Sequence, residues 1–294
     1  MKFLWLIAVA ALVRGGDCCF ASGGTEDSVT TIGHFERAVA FAVDPDGNFF
    51  VVDAGNQSLN KLSPSGNLLA STGGYGWGTT SFDQPRDLAL ANGLDVYIAD
   101  YGNHRIQRFD HNLNYVSTYD GRSSPAFPMQ FGYPRGVAVS RSGILFVVDG
   151  ENNRIVATNP LQDNSWTFGG NNVEQGKLAD PSRIRITSDD RLVVKDRGSL
   201  IFYDIYGNFV RAVTDSAITR TAAFALEDSI LFILDGCRLI TCSDQGFNRQ
   251  ERLISDILGR GEACDAVDLL VRDGMIDILA RNTIYRLPLR LLNQ

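Results

Sequence analysis

The chain has 294 residues, of which 44% are apolar and 21% are charged, and its formal net charge is −7. This is the composition of a globular protein, and the length corresponds to one large domain or two small ones. The acidic charge argues against a nucleic-acid backbone as the main ligand, because phosphate binding requires a local excess of Lys and Arg.

The first 21 residues have the features of a cleaved secretory signal peptide. Lys2 precedes an apolar run from Phe3 to Val13, and this run is too short to cross a bilayer. Small residues follow, and cleavage after Ala21 would leave residues 22–294 as a single domain. We therefore expect a secreted or periplasmic protein without a transmembrane segment.

The remaining sequence repeats itself every roughly 40 to 50 residues, a period that is typical of repeat architectures. Three segments align on an Asp that ends an apolar run: FFVVDAGNQSLNKL, VYIADYGNHRIQRF and LFVVDGENNRIVAT. Weaker copies follow as LVVKDRGSLIFYD, LFILDGCRLITC and IDILARNTIYRL. The six corresponding positions are Asp53, Asp100, Asp149, Asp196, Asp235 and Ala280.

Each repeat contains four short β-branched or aromatic runs that are separated by turns rich in Gly, Asn, Asp and Pro. This pattern predicts an all-β fold, a six-bladed β-propeller of four-stranded antiparallel blades. The sixth repeat lacks a clear fourth strand, whereas an unassigned run, SVTTIGHF, precedes the first repeat. We therefore predict that Ser28 to Ile32 completes blade six, which also removes an exposed sheet edge.

The motif that recurs most clearly among the repeats resembles the sequence motif of the NHL-repeat family. The resemblance is carried by PRDLALANGLDVYIADYGNHRIQRF and PRGVAVSRSGILFVVDGENNRIVAT, and blade one differs mainly by Ser58 and Leu59 in place of an Arg-Ile pair. Blades four to six lack the full motif. The resemblance implies a six-bladed propeller but no particular activity, because one scaffold serves many functions.

Three of the repeated aspartates, Asp53, Asp100 and Asp149, are interpreted as structural turn residues. Asp100, Asn103, His104 and Arg105 alone would suggest a reactive cluster, but the other two turns have no His. The element that all three turns share is an Asp followed three residues later by an Asn. A carboxylate in such a turn accepts hydrogen bonds from the backbone amides of the turn. Arg105 is expected to lie along the blade with its stem on apolar neighbours.

The propeller topology assigns the loops to two faces. The loops from the fourth strand of one blade to the first strand of the next share a face with the turns between second and third strands. Aromatic and Arg side chains on this face are typical of an interaction surface. The predicted binding residues are Tyr75, Trp77, Arg86, Tyr101, His104, Arg135 and Arg183. The alternative is that such aromatics, Phe131 among them, fold back over the blades.

Two further sites concern covalent modification. Cys237 and Cys242 flank a predicted turn and could form a disulfide across a hairpin, or they could be half-buried free thiols. Asn56-Gln57-Ser58 is an acceptor sequence for N-glycosylation in a eukaryotic secretory pathway.

No catalytic residue, metal site or cofactor is predicted. His34, His104 and His111 are the only histidines, and they fall in unrelated parts of the repeats. Metal-dependent propeller lyases that resemble NHL proteins instead place several His side chains around the central channel. Carboxylates near the channel, such as Asp87 or Asp268, lie in no specific motif.

The leading functional hypothesis is a non-enzymatic binding or scaffolding propeller that docks a protein or peptide on the face described above. One alternative is an enzyme of lactonase, esterase or lyase type with its site at the central channel. A second alternative is a carbohydrate or envelope-ligand binder, in which the loop aromatics stack on sugars. Nucleic acid fits poorly with an acidic exported chain.

Overall fold

The computed structural model describes residues 29–123, 130–159, 164–220, 223–245, 248–258 and 265–293. The described chain forms six four-stranded antiparallel sheets, which confirms the predicted six-bladed β-propeller. The predicted signal peptide lies outside the described residues. Among the residues that are described, no helix is both long and apolar enough to cross a membrane.

Each of the first three blades is built from four consecutive strands. Blade one consists of β2 (Ala38–Val43), β3 (Phe49–Asp53), β4 (Ser58–Leu62) and β5 (Leu68–Gly73). Blade two consists of β6 (Pro85–Ala91), β7 (Asp95–Asp100), β8 (Arg105–Asp110) and β9 (Tyr115–Asp120). Blade three consists of β10 (Pro134–Val139), β11 (Leu145–Asp149), β12 (Arg154–Asn159) and β13 (Asn164–Phe168).

The other three blades continue in the same order. Blade four consists of β14 (Pro181–Ile186), β15 (Leu192–Asp196), β16 (Ser199–Tyr203) and β17 (Phe209–Thr214). Blade five consists of β18 (Ala223–Glu227), β19 (Ile230–Asp235), β20 (Arg238–Ser243) and β21 (Gln250–Leu253). Blade six contains β22 (Ala266–Arg272), β23 (Met275–Ala280) and β24 (Ile284–Pro288). Three short helical turns accompany blades four to six: α1 (Ser216–Arg220), α2 (Ile254–Leu258) and a 3₁₀ helix (Leu289–Asn293).

The fourth strand of blade six is β1 (Thr30–Ile32), from the start of the described chain. It runs antiparallel to β24, with Thr31 opposite Tyr285. The prediction that the N-terminal run closes the propeller is therefore confirmed. Closure is completed at the inner strands, because β22 of blade six packs against β2 of blade one.

The hydrophobic core is divided among the six interfaces between neighbouring blades. Each interface has its own cluster of buried apolar side chains. The second strand of a blade has neighbours on both faces, so its residues are buried almost without exception, as in β3 and β11. The outermost strand is more exposed, as in β5. The first strands are thereby fixed around the central channel.

Candidate functional site

The carboxylate of Asp100 ties a long surface loop to the blade-two turn. Asp100 is fully buried and accepts hydrogen bonds from the backbone N–H of Asp83 at 2.8 Å and from Asn103 Nδ2 at 2.9 Å. Arg105 Nε donates to the same carboxylate at 2.7 Å. Arg105 therefore does not simply lie along the blade as expected, because its guanidinium pairs with Asp100.

The same arrangement recurs in blades one and three. Asp53 accepts backbone hydrogen bonds from Glu36 and Arg37 at 2.9 and 2.8 Å. Asp149 accepts one from Gly132 at 3.1 Å and pairs with Arg154 at 2.9 Å. In each case the backbone donors include residues that lie 16 or 17 positions earlier, in the segment that enters the blade. These aspartates therefore connect the entry loop of a blade to its central turn.

Tyr75 and Trp77 project from a loop whose backbone is held in place. Their relative exposures are 75% and 72%. Side chains of blade two donate hydrogen bonds to the loop carbonyls: Asn103 to Gly76 at 2.8 Å, Arg105 to Trp77 at 3.0 Å, and Gln107 to Thr79 at 2.8 Å. The two rings are therefore exposed to solvent on a backbone that is already ordered.

An aromatic stack continues from this loop toward the channel. The Arg86 guanidinium lies 3.5 Å from the centre of the Tyr101 ring, and Tyr101 lies 5.2 Å from Tyr133. The His104 ring is 4.0 Å from Tyr133, and its Nδ1 accepts a hydrogen bond from the Tyr133 backbone N–H at 3.0 Å. His104 is only 7% exposed, so it supports the stack and is not the exposed binding residue that the sequence predicted.

Burial lowers the pKa of His104, and the nearby Arg122 lowers it further. This direction agrees with the hydrogen bond, since only an unprotonated Nδ1 can accept from the backbone N–H. His104 therefore acts as a neutral acceptor that fixes the backbone of Tyr133.

Within the part of the chain that the structure describes, the first strands of blades one, two, three, four and six begin with a β-bulge. In each of them the pairing with the second strand skips the second residue, as between Pro85 and Asp87 of β6. The skipped residues are Val39, Arg86, Arg135, Ser182 and Val267. A bulged residue leaves the regular alternation of the strand, so its side chain is aimed differently from its neighbours.

The five bulge residues line one cavity at the end of the central channel, together with Arg183 and Lys195. We call this the channel-mouth cavity, and its volume is about 450 Å³. It opens on the face that carries the fourth-to-first strand loops, because the bulges are at the starts of the first strands. The predicted residues Arg86, Arg135 and Arg183 therefore share one site, which Tyr75 and Trp77 do not line.

The channel-mouth cavity contains four cationic side chains. Arg135 pairs with Asp180, and Arg183 pairs with Asp268 at 2.5 Å. Arg86 and Lys195 form no ion pair with any described residue. Burial lowers the pKa of Lys195 and Arg183 contributes to the same effect, against the opposing charges of Asp180 and Asp196. Burial also lowers the pKa of Arg86. The cavity thus has a net positive charge, which the neighbouring carboxylates of Asp180 and Asp268 compensate only in part.

The two carboxylates considered as catalytic candidates belong to a buried ion cluster. Asp87 and Asp268 are each 1% exposed, and Arg185 lies between them with Nη1–Asp87 Oδ1 and Nη2–Asp268 Oδ2 distances of 3.2 and 3.0 Å. Burial raises the pKa of Asp87, against the opposing charge of Arg185. The cluster joins blades two, four and six across the channel, which indicates a structural role.

Lys195 is the one charged residue of the cavity lining that the sequence interpretation missed. It precedes the repeated Asp in blade four, where the other blades have only apolar residues: Val52, Ala99, Val148, Leu234 and Leu279. This departure from the repeat pattern was the available signal.

The predicted disulfide between Cys237 and Cys242 is wrong. Cys242 is a free, buried thiol, whereas Cys237 is disulfide-bonded. Asp235 pairs with Arg238 and Leu231 with Cys242, so the hairpin turn is at Gly236 and Cys237. Cys242 is therefore five residues along β20, about 16 Å from the turn, whereas a bridge requires Cα atoms within about 7 Å.

The acceptor Asn56 has an exposed side chain, and its Nδ2 donates to Asp53 at 3.1 Å. Glycosylation there remains a prediction. Within the described ranges, no group of three or more His, Cys, Asp or Glu side chains is arranged to hold a metal ion.

The comparison with protein families agrees with this architecture. The NHL repeat model matches residues 82–109 and 131–157, which contain the strands of blades two and three that carry the Asp turn. The chain is thus a six-bladed β-propeller in which blades two and three match the NHL repeat.

Individual relatives are distant. A probable peptidyl-alpha-hydroxyglycine alpha-amidating lyase of Caenorhabditis elegans is 26% identical over 129 residues, which are 42% of this chain and 37% of that protein. A virginiamycin B lyase from Staphylococcus aureus has a TM-score of 0.62 at 11% identity, over 90% of this chain and 99% of its own. A chain from a nidogen/laminin complex has a TM-score of 0.58 at 14% identity, over 72% and 79% of the two chains. The similar structures show the fold alone.

Proposed function

We propose that this protein is a secreted, non-enzymatic binding module that docks a protein or peptide partner on the face around the channel-mouth cavity. The observation that carries the proposal is the pair of exposed rings, Tyr75 and Trp77, on a loop that blade two holds in place. Large aromatic side chains dominate the binding energy of many protein interfaces. An ordered loop also reduces the entropy that is lost on binding.

The alternative in which loop aromatics cover the blades applies to only part of this face. Phe131 is 5% exposed and packs into the interface between blades two and three. Tyr75 and Trp77 have no such cover in the described structure, and Tyr133 is partly exposed. The exposed rings and the cavity together provide an aromatic surface beside a polar recess, a combination suited to a protein partner.

The proposal is tested by affinity capture from the extracellular fluid or envelope of the source cells. Wild-type protein is compared with a Tyr75→Ala, Trp77→Ala double variant and with Tyr206→Ala. Tyr206 is a matched control because it is 71% exposed but lies in the turn between the third and fourth strands of blade four, on the opposite face. We expect a specific partner to be lost from the double variant and retained by Tyr206→Ala. Equal capture by all three proteins would contradict docking on this face.

A second candidate function is a lyase reaction at the channel, which is favoured by the match to the probable amidating lyase. The direct assay incubates the purified protein with a peptidyl-α-hydroxyglycine and measures release of the peptide amide, with and without a chelator. Turnover that survives repurification and is lost in an Arg86→Gln, Arg135→Gln variant would favour the enzyme. Absence of turnover leaves the binding module as the better assignment.

A further inference from the structure

We infer that the partner inserts acidic side chains, Asp or Glu of a peptide segment, into the channel-mouth cavity. This inference rests on the proposed docking function and specifies the chemistry of the docked segment. It follows from the geometry of the bulges, from the charge of the cavity and from the aromatic side chains on the same face.

The bulges bring cations from three blades to one point. Arg86 comes from blade two, Arg135 from blade three, and Arg183 and Lys195 from blade four. In blades one and six, Val39 and Val267 occupy the same bulge position, so one side of the cavity is apolar and the other is cationic. A bound carboxylate would therefore contact the cations from blades two to four.

The charges of these groups are not balanced within the site. Asp180 pairs with Arg135 but is itself more than half exposed, and Asp268 already belongs to the buried cluster below. Neither Arg86 nor Lys195 has an ion-pair partner among the described residues. A partly buried ammonium without a counterion is unfavourable, and a bound carboxylate would supply the missing charge.

Lys195 distinguishes this site from the rest of the propeller. In the register of blade four it lies opposite Arg183, so two cations face each other across neighbouring strands. Like charges in opposite positions destabilise a sheet. The equivalent pair in blade one is Ala40 and Val52, which has no such cost. An anion between Lys195 and Arg183 would convert this repulsion into attraction.

The surroundings favour an acidic peptide over a nucleic acid or another long polyanion. A polyanion requires cations along its whole path. Here Arg86 stacks on Tyr101, Tyr101 contacts Tyr133, and Tyr75 and Trp77 are exposed on the same face. A volume of about 450 Å³ is sufficient for a few side chains. Guanidinium groups also bind carboxylates through paired hydrogen bonds.

Fluorescence anisotropy with a labelled oligoglutamate peptide tests the inference, with labelled oligoglutamine as the neutral isostere. We expect oligoglutamate to bind wild-type protein and oligoglutamine to bind at least about tenfold more weakly, a difference of about 1.4 kcal/mol. Lys195→Met and Arg86→Gln should each weaken oligoglutamate binding severalfold. Lys177→Met is the matched control, because Lys177 is exposed on a loop of the same face and does not line the cavity.

Three results would overturn the inference. The first is no binding of oligoglutamate, the second is equal binding by Lys195→Met and wild type, and the third is tighter binding of tripolyphosphate or heparin than of oligoglutamate. Failure of this inference can be distinguished from failure of the docking proposal. A captured partner that is lost with the Tyr75 and Trp77 variant but retained by Lys195→Met and Arg86→Gln would support docking and contradict the acidic segment.

Discussion

Lys195 lies at a position where the other blades bury an apolar side chain. We expect Lys195→Met to raise the free energy of unfolding by about 1 kcal/mol at neutral pH, because it removes a partly buried charge. Burial lowers the pKa of Lys195 in the folded state, so the unfolded chain binds more protons below the normal lysine pKa. Stability of the wild type should therefore rise with pH in the alkaline range.

Chemical denaturation of wild type, Lys195→Met and the control Lys177→Met checks this expectation. The advantage of Lys195→Met should shrink as the pH approaches 10.5, the ordinary lysine value, because the wild-type lysine is then increasingly neutral in both states. A variant that is less stable than wild type at neutral pH would show that the ammonium already has a favourable partner.

His104 predicts an acid-sensitive element in the aromatic stack. Its pKa is lowered in the folded state, so protonation favours the unfolded chain, and stability should fall as the pH drops below about 6.5. His104 has a φ of 54°, which Asn also tolerates. We expect the melting temperature of wild type to fall more between pH 7 and pH 5 than that of His104→Asn. Equal slopes would contradict a neutral, hydrogen-bonded His104.

Single residues also show where sequence patterns fail. The roles of Asp53, Asp100 and Asp149 in turns could be inferred because the pattern repeats, but their donors in the entry loops are 16 or 17 residues away and leave no local signal. The Cys237–Cys242 bridge was wrong because it placed the hairpin turn a few residues too late. In a strand, such an error changes which side chains face each other.

Among the elements, β1 depends on the rest of the chain for its stability. It has only three residues and pairs with β24, but Ile32 is 3% exposed and packs with Phe35 between blades six and one. We expect Ile32→Ala to lower the free energy of unfolding by about 2 to 5 kcal/mol, as for other buried Ile residues.

The matched control for β1 is Thr31→Ala, because Thr31 is exposed on the same strand. It should change stability by less than about 0.5 kcal/mol. Thermal unfolding of the two variants provides the measurement. A small effect of Ile32→Ala would mean that the closing strand frays without consequence for the propeller.

The bulges are the elements that the sequence could not predict. The repeat pattern places the strands and their order correctly, but a bulge changes pairing by one residue without changing the apolar pattern. In blade five the described pairing of β18 with β19 begins at Ala223 and Leu234, the equivalents of Ala40 and Val52, and the preceding positions lie outside the described residues. The channel-mouth cavity therefore became visible only when the five bulges were seen together.

At the scale of the whole molecule, the cluster of Asp87, Arg185 and Asp268 connects three blades across the channel. Arg185→Met would leave two buried carboxylates without their shared counterion. Breaking a buried pair in this way costs about 3 to 5 kcal/mol. Arg191→Met, at the surface pair with Asp189, should cost less than about 1 kcal/mol.

The pH dependence of Arg185→Met is a further check. Burial raises the pKa of Asp87, and loss of Arg185 should raise it more. The folded variant then binds more protons than the unfolded chain, so its deficit relative to wild type should shrink as the pH falls from 7 toward 5. Adding Asp87→Asn and Asp268→Asn should restore part of the lost stability. Denaturation curves that show the same deficit at both pH values would contradict this account.

The fold was more predictable than the site because the two depend on different information. The blade pattern occurs six times in the sequence, so strands that are unclear in one repeat can be placed by comparison with the other repeats. The cavity depends instead on residues that differ between blades, such as Arg86, Ser182 and Lys195, and on how the blades are arranged around the axis. The predicted face contains the cavity, but only three of its seven lining residues were among the predicted binding residues.

The pairing of β1 with β24 also places a condition on protein synthesis. Thr30 and Arg286 are partners although they are 256 positions apart, so the ring cannot close until nearly the whole chain has left the ribosome. Until then the nascent chain has an unpaired strand and an incomplete last blade, and such edges can pair with other chains. Premature termination between Leu258 and Ile284 would therefore yield an open and association-prone product, even though the strands of the first five blades are complete.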